Sequence, residues 1–295
     1  MAILQVEHLT KDYGGGKGIF DLSFSIEKGE VFGFLGPNGA GKTTTIRHIL
    51  GFIKPQEGRA EVDGLDCWRC PDQIQRRLGY LPGEIAFPGD MTGTAFIRLI
   101  AELRGLRDMR RAESLIARFE LDPSGRLRRM SKGMKQKIGL VCAFMHDPAI
   151  LVLDEPTSGL DPLMQHTFVE LIDEEKAAGK TILMSSHMFD EVERTCDRVA
   201  IIKQGRLVSA MGTDELRYAR QKVYKLELAD DRQFAACRGR APRLCRAPPR
   251  QAPGQGRGAG RGHQRLHPAV IRIRSAVSLR GQADARGCFP GVLRR

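Results

Sequence analysis

The apolar and polar positions of this 295-residue chain follow regular periods up to about residue 228 and lose them afterwards. "ILQVEHL" (3–9) and "FDLSFSI" (20–26) place apolar residues at period 2, which predicts early half-buried strands. "VFGFLG" (31–36) is a short apolar run ending in glycine, the pattern of a buried strand entering a tight turn. A helix is predicted from Lys42, with Ile46, Ile49 and Leu50 on one face. "GTAFIRLIAELRGL" (93–106) and "MRRAESLIARFEL" (109–121) have the three- and four-residue spacing of amphipathic helices. "AILVLDEP" (149–156) is the strongest buried-strand candidate. "LMQHTFVELIDEEKAAGK" (163–180) reads as a helix closing at Gly179. Then come a strand in "TILMSSH", a helix in "MFDEVERTC", two strands around a glycine turn in "RVAIIKQGRLV", and a last strand in "KVYKLELAD". Such alternation predicts an α/β fold with a mainly parallel sheet and helices on its faces, carrying a more helical section at about residues 84–146.

The first candidate chemistry lies on the strand–turn–helix at "GPNGAGKT", residues 36–43, which fits G-x-x-x-x-G-K-[ST]. Backbone N–H groups of Gly36, Pro37's successor Asn38, Gly39, Ala40, Gly41, Lys42, Thr43 and Thr44 can converge on phosphate oxygens where no Cβ obstructs them. The helix N-terminus adds a favourable dipole. Lys42 would place its ammonium on the β- and γ-phosphates of a nucleoside triphosphate, and the Thr43 hydroxyl would ligate Mg²⁺. A second element, Asp154 and Glu155 at the end of the apolar strand, supplies the acids such a site needs. Asp154 would hold Mg²⁺, and Glu155 would orient and deprotonate the attacking water.

With these residues in order, the chain resembles the ATP-binding subunits of ABC transporters over residues 2–228. "LVLDEPTSGLDP" is similar to the family's Walker B strand and D-loop, with Asp161 in the D-loop position. The resemblance implies that His187, in "SSH", is the switch histidine that contacts the γ-phosphate, and that Tyr13, in "LTKDYGG", stacks on adenine. "MSKGMKQK" occupies the signature position. There Ser131 also reads as a helix N-cap, with the helix running from Lys132 to Met145. In that reading Ser131 and Gly133 present donors to the phosphate held by a second subunit.

Two departures from the family stand out. The signature reads Met130-Ser131-Lys132-Gly133-Met134, a form that resembles bacterial exporters of drugs and antibiotics. After Pro82 the usual glutamine is replaced by Gly83, so the metal-sensing role falls to Glu84 or the coupling differs. The resemblance implies two copies associated head to tail around ATP and Mg²⁺. They would drive a separate transmembrane permease from the cytoplasmic face of the membrane, with no nucleic-acid partner. The competing class is a soluble ABC-type ATPase acting on nucleic acid or the ribosome. The single phosphate loop and the lack of a heptad run weigh against it.

Composition changes the picture only after Asp231. The net charge of +12 is carried wholly by residues 232–295, which hold 15 arginines, no lysine and one acid, so the preceding body is nearly neutral. A polyanion partner therefore has no support from the body. Leu, Ile, Val and Phe make up 11 of those 64 residues, which places the segment in the composition range of disorder. The domain assignment is accordingly 1–231 for the ATP-binding domain and 232–295 for a basic tail. Its abrupt enrichment in Arg, Ala, Gly and Pro fits out-of-frame translation, which would make the subunit defective at its C-terminus. The rival reading is a basic tail that contacts anionic lipid or RNA. Cys67 and Cys70 form a lone C-x-x-C without the second pair a zinc site requires. The unpaired cysteines, with no signal peptide and no apolar run of membrane-spanning length, point to a reducing compartment.

Overall fold

Alternation at the N-terminus produces an antiparallel sheet. In this computed structural model, which describes residues 2–215 and the backbone of 223–228, 245–246 and 267–272, β1 (Ala2–Asp12) pairs with β2 (Gly18–Glu27) on one edge and β4 (Glu57–Val62) on the other. The short β5 (Leu65–Asp66) completes the order β2-β1-β4-β5. Leu4, Val6 and Leu9 of β1 are buried on one face with Leu22 and Ile26 of β2. The spacing from Val6 to Leu9 is three rather than two because the register shifts there, with His8 at φ 49°. A bulge of this kind turns the next side chain back to the core.

The second sheet is built from the apolar runs. β3 (Val31–Leu35), β7 (Ile150–Asp154) and β8 (Thr181–Ser186) lie parallel and side by side, and every residue of β7 and β8 is buried. That two-sided burial is why the runs 150–153 and 182–184 within them are apolar throughout instead of alternating. β6 (Leu78–Leu81) extends the parallel run beside β7, and β9 (Arg198–Lys203) beside β3. The edge strand β10 (Arg206–Gly212) is antiparallel, giving the order β10-β9-β3-β8-β7-β6. α1 (Lys42–Ile49) packs on β4 and β7, and α7 (Phe189–Thr195) on β3 and β8. α6 (Pro162–Ala177) lies against α7.

The helical section holds α3 (Gly93–Leu103), α4 (Arg110–Arg118) and α5 (Lys132–Phe144), with α3 and α4 packed on α5 and α5 packed on β6. Thr92 caps α3, accepting from the Ala95 N–H at 3.2 Å. The Arg104 guanidinium fastens the end of α3 to the sheet by donating to the Gln75 and Leu78 carbonyls, both at 3.2 Å. Arg111 of α4 donates to the Phe144 carbonyl and pairs with Glu175 of α6.

Periodicity missed the stretch between α1 and Pro82. β4, β5, β6 and α2 (Pro71–Arg77) all lie in it. β4 shows only Ala60 and Val62 as buried positions, and β6 is four residues long with a glycine inside, so neither spans enough residues to show a period.

The chain divides into two units, Met1–Thr213 and Asp214–Arg295. In the second unit β11 (Val223–Leu228) forms where the sequence predicts a strand, but its partner is β13 (His267–Arg272), which also pairs with β12 (Cys245–Arg246). Of residues 232–295, the backbone of 245–246 and 267–272 is described. The other residues of the tail, and the out-of-frame reading that concerns them, lie outside the described residues.

Candidate ATP-hydrolysing site

The sheet order places four strand ends together. The loop after β3, the acids ending β7, the histidine after β8 and Gly83 after β6 all sit at the C-terminal edge of the parallel strands, where open α/β sheets bind ligands. Gly41 caps α1 at φ 111°, and a Cβ there would stand 2.7 Å from Ile19 Cγ2. No other residue fits that backbone and that space. Gly36 and Ala40 are buried at the base of the loop, whereas Pro37, Asn38 and Gly39 form its exposed rim. Thr44, half-buried on the first turn, gives its carbonyl to the His48 Nδ1–H at 2.7 Å.

Lys42 is 5% exposed, and its ammonium donates to the Gly36 carbonyl at 2.7 Å and the Pro37 carbonyl at 3.4 Å. It also stands 3.1 Å from Glu155 Oε1. The other oxygen of that carboxylate, Oε2, is 2.6 Å from His187 Nδ1. One carboxylate therefore lies between a buried ammonium and a half-exposed imidazole. Glu155 has φ 51°, and its N–H donates to the Ser185 carbonyl and hydroxyl at 3.2 and 3.1 Å. A left-handed glutamate is a strained conformation, held here by its neighbours. Next to it, the Thr43 hydroxyl donates to Asp154 Oδ2 at 2.7 Å, while the Ser185 hydroxyl donates to Asp154 Oδ1.

The signature and D-loop positions meet on the other side of this turn. Ser131 caps α5, its Oγ accepting from the Met134 N–H at 3.2 Å. A Cβ at Gly133 would stand 2.5 Å from the Gly159 carbonyl oxygen, so α5 begins in close contact with the D-loop. The Lys132 ammonium donates to Ser158 Oγ at 2.7 Å. Asp161 caps α6, accepting from the Met164 N–H at 3.0 Å, and that bond holds its carboxyl below the usual range. Tyr13 stands 55% exposed on the β1–β2 turn, with the Lys11 ammonium 5.9 Å from its ring centroid.

The profile of the ABC transporter family matches residues 19–158, which include the phosphate loop, Ser131 and the acid pair. The bacitracin transport ATP-binding protein BcrA of Bacillus licheniformis is 35% identical over 231 residues, covering 77% of this chain and 76% of its own length. The chain belongs to the ABC transporter ATP-binding proteins. Among solved structures, an ATP-binding subunit of an ABC transporter superposes with TM-score 0.67 at 35% identity, covering 73% of this chain and 92% of its own. A dimeric bacterial ABC transporter cassette superposes with TM-score 0.65 at 21% identity, over 71% of this chain and 98% of its own, and so shares the fold. The chain is an ABC-type ATPase, and among the described residues no helix is long and apolar enough to cross a membrane.

Within that family the departure after Pro82 acquires a geometry. Gly83 stands directly against Asp154: a Cβ there would come 3.2 Å from Oδ2 and 3.3 Å from Cγ. Glu84 is exposed beside it, without an ion pair or hydrogen bond among the described residues. The Cys67 thiol is buried and pushed up to about 12 by that burial, and the described residues contain no cluster of three metal-ligating side chains.

Three residues of the site escaped the sequence analysis. Ser185 joins Asp154 to the backbone of Glu155. Gln136 of α5 is buried and donates to the carbonyls of Glu155 and Pro156 at 3.2 and 2.9 Å. Glu191 of α7 accepts from Ser186 Oγ at 2.5 Å. Each is an ordinary polar residue in an element read only for its period, and only a buried polar residue on an apolar face could have flagged it.

Proposed function

We propose that this subunit hydrolyses ATP to power export of a drug-like or other small hydrophobic molecule through a separate permease at the cytoplasmic face of the membrane. The observation that carries the hydrolytic reading is the Glu155 carboxylate lying 3.1 Å from Lys42 Nζ and 2.6 Å from His187 Nδ1. In the reaction the loop Gly36–Thr44 binds the phosphates, and Lys42 leaves Glu155 for the β- and γ-phosphate oxygens. Glu155, released from the ammonium, accepts the proton of the attacking water, and His187 holds the γ-phosphate beside it. Tyr13 offers its open ring to the adenine.

The Thr43 hydroxyl and Asp154 carboxylate, 2.7 Å apart, are hard oxygen donors that suit Mg²⁺. When bound, that ion neutralises charge developing on the phosphates. Asp154 and Thr43 would hold the ion, with the exposed Glu84 as a further oxygen donor after Pro82.

The exposed cap Ser131 and the adjacent Gly133 serve the ATP of a second copy, bound head to tail, with Asp161 at the same interface. The dimeric state of the cassette that shares this fold supports this arrangement. The export reading rests on the similarity to a bacitracin transport protein and on the Ser-Lys-Gly-Met signature. The helical section, about 84–146, would receive the permease.

Two measurements test the proposal. The Glu155→Gln chain in saturating ATP and Mg²⁺ should double its mass by light scattering; a monomer rejects the sandwich. Replacing the chain by Lys42→Ala in its source cells should sensitise them to hydrophobic peptide antibiotics or dyes. Unchanged sensitivity across such a panel counts against export.

A further inference from the structure

Three carboxylates are buried in the first unit: Asp154, Glu175 and Glu191. Asp154 belongs to the site, and Glu175 pairs with Arg111 and Lys180. Glu191 is 7% exposed; its hydrogen-bond donor among the described residues is the Ser186 hydroxyl, and the Thr157 hydroxyl lies beside it. Its Oε1 is buried without a hydrogen-bond partner. A carboxylate in that setting works against folding, and a hydrophobic residue would pack the same face of α7 at less cost.

The two hydroxyls flank the hydrolytic pair. Ser186 precedes His187, and its Oγ accepts from the Met188 N–H at 2.9 Å while donating to Glu191 Oε2 at 2.5 Å. The bonds from Met188 through Ser186 to Glu191 thus bracket His187 on both sides. Thr157, buried, lies two residues beyond Glu155 in the turn that leads to the D-loop. One side chain therefore bonds the turn that carries the histidine and stands beside the turn that carries the catalytic carboxylate.

We propose that Glu191 is a positioning residue for ATP hydrolysis, holding His187 in place against Glu155 through its bond to Ser186. The proposal rests on Glu155 and His187 being the hydrolytic pair. Burial first, and the neighbouring Glu155 charge in addition, push the Glu191 carboxyl above its usual range. That cost is tolerated where the acceptor does positional service.

The test uses the full chain with ATP and Mg²⁺. Glu191→Ala should lower kcat by about tenfold to hundredfold, the range for misplacing a reacting group by an ångström or less, while KM for ATP and the affinity for a fluorescent ATP analogue stay within about twofold. Glu191→Gln retains an oxygen that accepts from Ser186, and should recover most of the rate. Ser186→Ala breaks the same link from the other end and should reproduce the kcat-selective loss, which keeps the test decisive if Glu191→Ala fails to fold. The double variant Glu191→Ala/His187→Ala should lose less than the product of the two single losses. Wild-type kcat in Glu191→Ala, a loss confined to KM, or fully multiplicative losses in the double variant would overturn the proposal. Unimpaired His187→Ala would instead refute the hydrolytic pair beneath it, and that result is read independently of Glu191.

Discussion

The contact between Lys42 and Glu155 makes a quantitative prediction about the nucleotide-free protein. Changing Glu155 to Gln leaves an amide oxygen beside the ammonium but removes the charge that faces it. At 3.1 Å, with an effective dielectric near 20, that charge interaction is about 5 kcal/mol before desolvation is counted. Removing one partner of a buried pair typically costs about 3–5 kcal/mol. Lys42 keeps its bonds to the Gly36 and Pro37 carbonyls, so the lower end, about 3 kcal/mol, applies. For a unit of this size the loss corresponds to a Tm lowered by about 6–12 °C. ATP reverses the effect, because phosphate oxygens then supply the negative charge that Lys42 has lost. Thermal unfolding of wild type and variant, each with and without saturating ATP and Mg²⁺, reads both terms. The variant should be less stable alone, close to wild type with ATP, and therefore show the larger ligand-induced rise. Its steady-state turnover should fall by about 10²–10⁴. An unchanged nucleotide-free Tm, or the same deficit with and without ATP, would refute the compensation argument. Normal turnover would refute Glu155 as the base.

Three further outcomes are expected. Lys42→Ala should abolish ATP binding in equilibrium titration, since the only cation aimed into the loop among its own residues is removed; micromolar binding by this variant would sink the phosphate assignment. Ser131→Ala removes the cap accepted from Met134 and should lower stability by about 1 kcal/mol. It should also weaken ATP-dependent dimerisation of the Glu155→Gln chain; a stability loss with intact dimerisation would make Ser131 only a cap. Asp161 has a folded pKa below 3.8 because it accepts from the Met164 N–H. The stability this adds is complete above pH 3.8 and is lost as the pH falls through the lowered value. Asp161→Asn should therefore lose stability less steeply than wild type on acidification below that point. Urea midpoints that fall in parallel would contradict it.

The phosphate loop and the acid pair were legible because each is contiguous. Residues 36–43 form one turn between a strand and a helix, and its glycines and lysine act within a few ångströms of one another whatever the rest of the chain does. The long strands and helices were legible for the same reason, since burial on one face imposes a period of 2 or 3–4 over enough residues to be seen. Local pattern also yielded the Ser131 cap, because an N-cap bonds its own first turn. It did not yield β4, β5, α2 and β6, which are too short to show a period. Nor did it yield the β11–β13 pairing, whose partners are separated by a long intervening stretch.

Sequence alone thus placed the expected phosphate loop at Gly36–Thr44 and the expected acids at Asp154 and Glu155. Tertiary structure decided what those acids touch. Lys42, Glu155 and His187 belong to three segments, and only the strand order β3-β8-β7 brings their ends together. Strand order depends on crossover connections and on which buried faces fit, and neither leaves a local signature in the chain. The same holds for Gly83 against Asp154 and for Glu191 beneath His187. Their roles come from the neighbours that packing supplies, and those neighbours are distant in sequence.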